Sequence, residues 1–554
     1  MWIKSMLRRH KLVIFPGILL IFVMYHVSTQ NLVDSVSNMI NTPQNDHQKS
    51  YIGSYNIFFN NMKNYAPHSK SLKNNYKTEK ANEKFFTDGF LFDKEYLENV
   101  LDISDEGFDE LKLLHTQFVS QEMNDIINTR KLASFSNITT RDRQWKSYKG
   151  SSGYVLIGGG KFSWLSYLVI KQLRQIGSTL PIELFIPTED EYEPQFCNLI
   201  FKKYNARCNV IDEGLQQQLS SSYKISGYQY KMLAILTSKF ENLFYIDSDN
   251  YPTRNPDYLF NSDIYKKNGM ILWPDFWART TNPKFYDIAN VQVLENKVRY
   301  NEYDKLNKQD NKPLLEFKFK DAYFHTFENT IPDPTIETGM MMINKSSHLK
   351  TLLLSLYYNV YGPDYYYPLL TQGSAGEGDK ETFIAAAHVL GEPYFLTQFD
   401  AGWVGYHHKE KQEFTAKALN HYDPVQSLNK DTPKDDRKTL FLHLSYPKFF
   451  TELLYNNHDL VYEKSKEHIR MYEGTYNNLG YDFDLQVFQG FTEGACPNYY
   501  DKTTGKSIDD LQVDSSEYMG DYLSYLKNDE EKNIQRCEEV FLPHLKWLKD
   551  TTKF

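Results

Sequence analysis

The stretch Leu243-Phe244-Tyr245-Ile246-Asp247-Ser248-Asp249-Asn250 is an apolar run that stops abruptly in two carboxylates one residue apart. Four apolar residues between polar ones fit a strand covered on both faces. Such strands belong to open α/β sheets, whose ligands sit beyond the strands' carboxyl ends. Asp247 and Asp249 fall at that place. Strand alternation sends residues i and i+2 to the same side, so the spacing predicts that both carboxylates meet one hard divalent cation. Mg²⁺ and Mn²⁺ favour oxygen ligands and bridge carboxylate to diphosphate. Asp482-Phe483-Asp484 has the same spacing but no strand before it, and reads as a solvated turn. Beyond the first pair, Pro252 and Asn255-Pro256-Asp257 break the strand and turn the chain.

The chain has 554 residues, enough for one large domain with attachments or for two. Hydrophobic residues make up 41% and aromatic ones 15%, which argues for a packed core rather than disorder. A net charge of −9, with lysines interspersed among acids, excludes nucleic acid from the expected partners. Leu12 to Val27 is apolar apart from His26 and follows Lys4, Arg8, Arg9 and Lys11. As a helix it spans roughly 24 Å, short for a bilayer but sufficient for a thin early-secretory membrane. The basic flank keeps the N-terminus cytosolic. The reading is a cytosolic tail over 1–11, a retained signal-anchor helix over 12–27 and a luminal remainder; a cleaved signal peptide is the competing one. Cys197, Cys208, Cys496 and Cys537 fall as two pairs close in sequence. An oxidising lumen permits two disulfides, four thiols allow three pairings, and buried free thiols are the alternative. The sequons Asn137-Ile138-Thr139 and Asn344-Lys345-Ser346 are usable only in a lumen.

Residues 28–84 are polar and rich in Asn, Lys and Ser, as in a stem. Over 85–150 helical spacing appears, with Phe108, Leu111, Leu114 and Phe118 on one stripe behind the cap Ser104, a helical lead-in. The catalytic domain is expected over 151–490. It opens with a βαβ unit: strand Tyr154–Ile157, turn Gly158-Gly159-Gly160, helix Phe162–Ile176, strand Ile182–Ile186. The glycines permit close approach of a nucleotide, with Lys161 beside it; a tight turn explains them equally well. Lys231 enters the site if its helix packs beside the Asp247 strand.

Met270–Trp273 and Gly339–Ile343 read as further buried strands, with Glu337 at the edge of the second. Gly373 to Glu381 forms a glycine-rich acidic loop ahead of a helix starting near Thr382. Acids there complement a helix dipole, or face a sugar. His443 sits inside the apolar run Leu440 to Leu444, as a core histidine or as a metal ligand, and 491–554 reads as a helical tail tied back by Cys537.

Four segments resemble the fungal Golgi α-1,2-mannosyltransferases that branch cell-wall mannan, of the glycosyltransferase family 71 type. They are Gly159-Gly160-Lys161-Phe162-Ser163-Trp164-Leu165, Tyr245-Ile246-Asp247-Ser248-Asp249-Asn250, Tyr358-Asn359-Val360-Tyr361-Gly362-Pro363 and Gly376-Glu377-Gly378-Asp379-Lys380-Glu381-Thr382-Phe383. The resemblance runs from about Gly150 to about Pro447. It implies a type II Golgi membrane protein with a GT-A fold, a Rossmann-like mixed sheet with flanking helices. It further implies that GDP-mannose and Mn²⁺ are used to add α-1,2-mannose to the α-1,6-mannan backbone of glycoprotein outer chains. Other Golgi mannosyltransferases are implied as partners in a complex. Asp247 and Asp249 match the family's metal motif, His443 is the implied third ligand, and the Asp379 loop matches the part facing donor and acceptor. Gly159, Gly160, Lys161, Lys231 and Glu381 are the candidate substrate contacts.

Donor and product mannose are both α in this reading, so configuration is retained. Retention needs a carboxylate nucleophile, for which Asp379 and Glu337 are the candidates, or same-face attack with the leaving phosphate as base. The rival readings are an α-1,3-mannosyl or other luminal nucleotide-sugar transferase, and a non-catalytic mannan-binding protein. The intact Asp247-Ser248-Asp249 counts against the last.

Overall fold

The computed structural model describes residues 58–87, 89–124, 150–211, 213–301, 313–497, 500–501, 506–507 and 517–554. All lie in one compact unit, Tyr55–Phe554. The expected signal-anchor at 12–27 and the sequon at Asn137 lie outside the described residues. Among the described residues no helix is long and apolar enough to cross a membrane.

Two sheets organise the molecule. The first has seven strands: β1 (Ser152–Ile157), β2 (Ile182–Ile186), β3 (Ala206–Val210), β4 (Asn242–Ile246), β6 (Met270–Pro274), β9 (Ile336–Asn344) and β10 (Phe395–Leu396), in the order β10-β6-β9-β4-β1-β2-β3. β4-β1-β2-β3 run parallel, and β9 is antiparallel to both β4 and β6. β4 and β6 therefore point the same way, and their carboxyl ends share a rim with the start of β9. The second sheet is antiparallel, in the order β11 (Gly402–His408), β12 (Glu413–Tyr422), β13 (Thr439–His443), β5 (Asn250–Pro252). A short ribbon pairs β7 (Leu294–Lys297) with β8 (Phe327–Glu328).

The sheets are joined through aromatic packing. Phe244 of β4 stacks on Trp273 of β6 at 5.8 Å between ring centroids, and both rings meet Phe441 of β13, at 5.4 and 5.9 Å. All three are fully buried, and such pairs contribute beyond the area they bury.

The helices follow from burial. Helix α1 (Asp105–Gln117) starts where Ser104 accepts from the Gly107 amide, and its buried stripe is Gly107, Leu111, His115 and then Phe118. Helix α2 (Lys161–Gln175) is buried throughout Ser163–Leu173, since the first sheet lies on one side and helix α6 (Phe483–Ala495) on the other. Trp164 meets Phe491 at 5.7 Å, and a Cβ on Gly494 would come within 2.7 Å of the same indole. Helix α3 (Tyr230–Thr237) is buried from Lys231 onward and packs on helix α4 (Leu349–Val360), which in turn packs on helix α5 (Lys380–Leu390).

Three expectations are corrected here. Residues 58–84, polar enough to suggest a free stem, are fastened to the body. Phe58, Phe59, Met62, Leu72 and Ala81 are buried, and the Met62 carbonyl accepts from the Tyr361 hydroxyl. The Leu72 and Ala81 amides donate to the Asp364 and Gln372 carbonyls. A few anchors and backbone bonds suffice, so composition conceals the docking. The tail expected from residue 491 begins inside α6. It returns through helix α7 (Leu542–Thr551), is closed by a Cys496–Cys537 disulfide, and is held by a buried ion pair of Lys171 with Glu493 at 2.5 Å. The second disulfide joins Cys197 to Cys208.

Asp482-Phe483-Asp484 is not a solvated turn. Asp482 caps α6 by accepting from the Leu485 amide at 2.9 Å and pairs with Arg470. Asp484 is 4% exposed and accepts from the Met471 and Tyr472 amides and the Tyr476 hydroxyl. Burial pushes its carboxyl up to about 7, against the pull of those donors. Asp484→Ala orphans two buried amides and is expected to cost about 2–4 kcal/mol of stability, read as a lower Tm. The affinity of the folded protein for a divalent cation should not change. A shifted cation midpoint would return this second acidic pair to the candidate sites.

Candidate functional site

β4 ends at Ile246, and Asp247-Ser248-Asp249 is a tight turn closed by the Asn250 amide donating to the Asp247 carbonyl at 3.1 Å. It delivers the chain straight into β5 of the other sheet. The two carboxylates therefore do not lie on one strand as alternation predicts, and each has its own surroundings.

Asp247 stays with the first sheet. Its Oδ1 accepts from the Tyr245 hydroxyl at 2.5 Å, and its Oδ2 meets the Lys231 ammonium at 3.2 Å. Lys231 reaches it from α3, as expected if that helix packs beside β4. The ammonium also donates to Thr338 O and Oγ1, both at 3.1 Å, and stands 3.2 Å from Asp379 Oδ2. Burial works against its charge, but Asp247, Asp379 and Glu337 outweigh it and hold the amine protonated. Asp379, at the start of α5, is 4% exposed; burial raises its carboxyl, Lys231 pulls it back and Asp247 adds to the rise.

Asp249 belongs to the second sheet. Its Oδ2 lies 3.7 Å from His443 Nε2 and 2.6 Å from Lys448 Nζ. Burial alone would raise this carboxyl, yet the two cationic partners hold it well below the usual carboxylate range. On the far side of the imidazole, His443 Nδ1 lies 3.0 Å from Glu337 Oε2. Burial disfavours imidazolium, but Glu337 and Asp249 overcome it and raise His443 well above the ordinary histidine range. Donation from Nδ1 to Glu337 leaves Nε2 facing Asp249 and able to take a cation, the arrangement by which carboxylates orient metal-binding histidines.

Glu337 is thus not a free carboxylate at a strand edge. It lies within β9 opposite Trp273, with Oε2 on His443 and Oε1 accepting from the Gly339 amide at 2.5 Å. That occupancy removes it from the nucleophile candidates. Glu381 differs as well from the expected surface contact: it is fully buried, paired with Arg279, and accepts from the Ile336 amide at 2.9 Å, so it braces α5 from the interior. Lys161 is exposed at the start of α2, with its ammonium 4.8 Å from the Phe450 ring centre and outside the acidic cluster. Gly159 and Gly160 take φ of +98° and +50°, so the turn requires glycine whatever else it does.

The Tyr358-to-Pro363 segment is scaffold. Asn359 donates to Thr382 Oγ1 of α5 and accepts from the Tyr367 hydroxyl, while its carbonyl accepts from Gln229 just ahead of α3. It locks together the helices that carry Lys231 and Asp379. The Asn344 sequon amide is spent on Asn242 and the Ser347 amide.

His421, Lys448 and Asp275, which no sequence motif singled out, join the site, as does Lys380 of the glycine-rich loop. Glu337, His421 and His443 offer ligand atoms within 4.8 Å of one another. His421 is 1% exposed, burial pushes it down to about 4, and neither ring nitrogen has a hydrogen-bond partner. Lys380 pairs with Asp275 at 2.5 Å. The signal for His421 lay only in its register: β12 pairs with β13, so a histidine there returns beside His443.

With a divalent cation at His443, Glu337→Gln should weaken the cation midpoint of activity about 10–100-fold, with the rate recovering at saturating metal, since Glu337 orients that imidazole. Irrecoverable loss would restore it as a nucleophile. A cation bound at His443 would expel its proton, so on that arrangement affinity is expected to fall as pH falls, and His443→Ala to flatten that dependence. Isothermal titration across pH measures both.

The mannosyltransferase family model Mannosyl_trans3 matches residues 151–423. The chain is 56% identical over 517 residues to the α-1,2-mannosyltransferase MNN2 of Candida albicans, a match covering 92% of this chain and 86% of that one. With MNN2 of Saccharomyces cerevisiae it shares 36% identity, covering 70% and 72%. With α-1,2-mannosyltransferase MNN21 of Candida albicans it shares 33%, covering 81% and 72%. Matches of that identity along most of both chains leave one assignment: this chain belongs to the fungal α-1,2-mannosyltransferase family.

Proposed function

We propose that this α-1,2-mannosyltransferase is a GT-A enzyme of the Golgi lumen. In this reading it transfers mannose from GDP-mannose, with retention, to the α-1,6-mannan backbone of glycoproteins. The observation that carries the reading is the joined pair Asp249 and His443 at the rim where strand ends of both sheets converge. The two disulfides support an oxidising compartment, and the apolar run at 12–27 supports a type II anchor. Association with other Golgi mannosyltransferases belongs to the same proposal.

The residues fit a divalent cation. Asp249 Oδ2 and His443 Nε2 are 3.7 Å apart, near the spacing of about 3 Å that neighbouring ligands of one octahedral ion adopt. The unpartnered imidazole of His421 stands behind them. A mixed oxygen and nitrogen set suits Mn²⁺ better than Mg²⁺. Asp249 and His443 would hold the ion, with Asp247 alongside. When bound, it supplies positive charge against the diphosphate.

The protein's own groups do the rest. Lys448, 39% exposed beside Asp249, offers a mobile cation to the diphosphate, and Lys231 fixes Asp247. Asp379 faces Lys231 from a buried position, its Oδ2 3.2 Å from the ammonium, and in this reading it positions that lysine while same-face attack carries the transfer. The bond between mannose C1 and the phosphate oxygen breaks while the acceptor O2 bonds to C1 on that face, and the hydroxyl proton passes to the departing phosphate oxygen.

Linkage analysis of the product formed from GDP-mannose and α-1,6-mannobiose tests the reading. An α-1,2-linked α-mannose is expected, and an α-1,3 linkage or absence of transfer overturns it. For the route, Asp379→Asn should lose about 10–100-fold in kcat as a positioning residue. Loss beyond about 10⁴-fold, as when a nucleophile is removed, would make it the nucleophile.

A further inference from the structure

Five aromatic rings from three separate chain segments form a strip at the rim of the site. Phe86 meets Phe85 at 5.0 Å between centroids, and Phe85 meets Trp277 at 4.9 Å and Phe276 at 5.7 Å. Phe276 then meets Trp403 of β11 at 5.0 Å. The two ends are open: Phe86 is 75% exposed and Trp403 47%. Exposing large rings costs free energy, and a clustered run of them marks a ligand-binding surface more often than a packing accident.

The strip is continuous with the acidic cluster. Phe276 directly follows Asp275, whose carboxylate holds Lys380 beside Asp379. The Trp277 carbonyl accepts from the Thr335 amide and hydroxyl, two residues before Glu337. Trp403 lies on the strand next to β12, which carries His421. The rings thus begin where the reacting atoms are expected and lead outward, spanning both sheets.

We infer that this strip is the acceptor subsite and that it binds successive hexose residues of a linear α-mannoside. The inference rests on the mannosyl-transfer reading above. A hexopyranose has a face of C–H bonds with slight positive charge, which lies flat against the negative face of an aromatic ring, while its hydroxyls stay in water. A row of rings suits a chain of sugars better than one small molecule. A nucleotide diphosphate calls instead for the cations at Lys448 and the turn at Gly159–Lys161. Phe86 and Trp403 are therefore specificity residues for the acceptor, distinct from the donor machinery.

Steady-state kinetics of Phe86→Ser, Trp403→Ala and Trp403→Phe in the full chain test it, with GDP-mannose as donor and α-1,6-mannobiose and α-1,6-mannotetraose as acceptors. Phe86→Ser and Trp403→Ala are expected to raise KM for the tetraose about tenfold and for the biose less. The KM for GDP-mannose and acceptor-independent donor hydrolysis should stay unchanged, and Trp403→Phe should retain most of the affinity. Unchanged tetraose KM in both Phe86→Ser and Trp403→Ala overturns the inference, as does an equal rise in donor KM. Phe86 is exposed enough that its serine variant folds whatever becomes of Trp403. Wild-type enzyme that transfers to neither mannoside overturns the reading beneath, and the mannoside occupant with it.

Discussion

Asp247, Ser248 and Asp249 carry the chain from the last residue of β4 in one sheet to the first residue of β5 in the other. A three-residue crossing leaves little freedom, so the distance between Asp247, which meets Lys231 at the end of the first sheet, and the second sheet's His443 is set by how the sheets pack. Phe244, Trp273 and Phe441 do that packing directly behind the turn. Protein interiors transmit displacements because they are close-packed. The geometry of the acidic site is in this sense a property of an aromatic contact with no polar atom in it but the Trp273 indole nitrogen, which donates to the Tyr422 carbonyl.

The second constraint is charge. Asp247, Asp249, Asp275, Glu337 and Asp379 crowd one rim, faced by Lys231, Lys380, Lys448 and His443. Five carboxylates against three ammonium groups and an imidazolium leave one negative charge in excess. Buried charge without compensation is costly. A divalent cation that displaced the His443 proton would carry the cluster from slightly negative to neutral, which gives the site a physical reason to prefer the metal-bound state. The same balance explains why Lys448 alone among these amines is well exposed: it can move aside when the cation arrives.

Much of this was legible in sequence because buried strands advertise themselves. Leu243–Ile246 and Met270–Trp273 are unbroken apolar runs, Ile182–Ile186 is broken only by the buried Glu183, and each forms its strand. Asp249 and His443 could be named because a polar group at the end of, or inside, such a run needs a reason to be there, and Lys231 because its helix leads into the Asp247 strand. What stayed hidden depends on register and on the crossing between sheets. His421 comes beside His443 only through the pairing of β12 with β13. Glu337 reads as a carboxylate at a strand edge, and only the fold shows both its oxygens engaged. The duplicate Asp482-Phe483-Asp484 reads as surface by composition, yet Met471 and Tyr472 amides from a distant turn enclose it.

The segment 58–86 was obscured for a different reason. Its Asn and Lys content resembles a tether, and it forms no long helix or strand that periodicity could reveal. It is held instead by backbone amides donating to Asp364 and Gln372, and by tyrosine hydroxyls of the Tyr357–Tyr365 region donating to its carbonyls. Such bonds leave no signature in the residues that make them on the segment's side. Their consequence reaches the site, because the same segment ends in Phe85 and Phe86 against Trp277. The aromatic strip is complete only while the segment is docked on α4 and the turn after it. Docking of the N-terminal strap thus completes the rim, and the tyrosine-rich motif around Tyr361 is the structural element that holds it there.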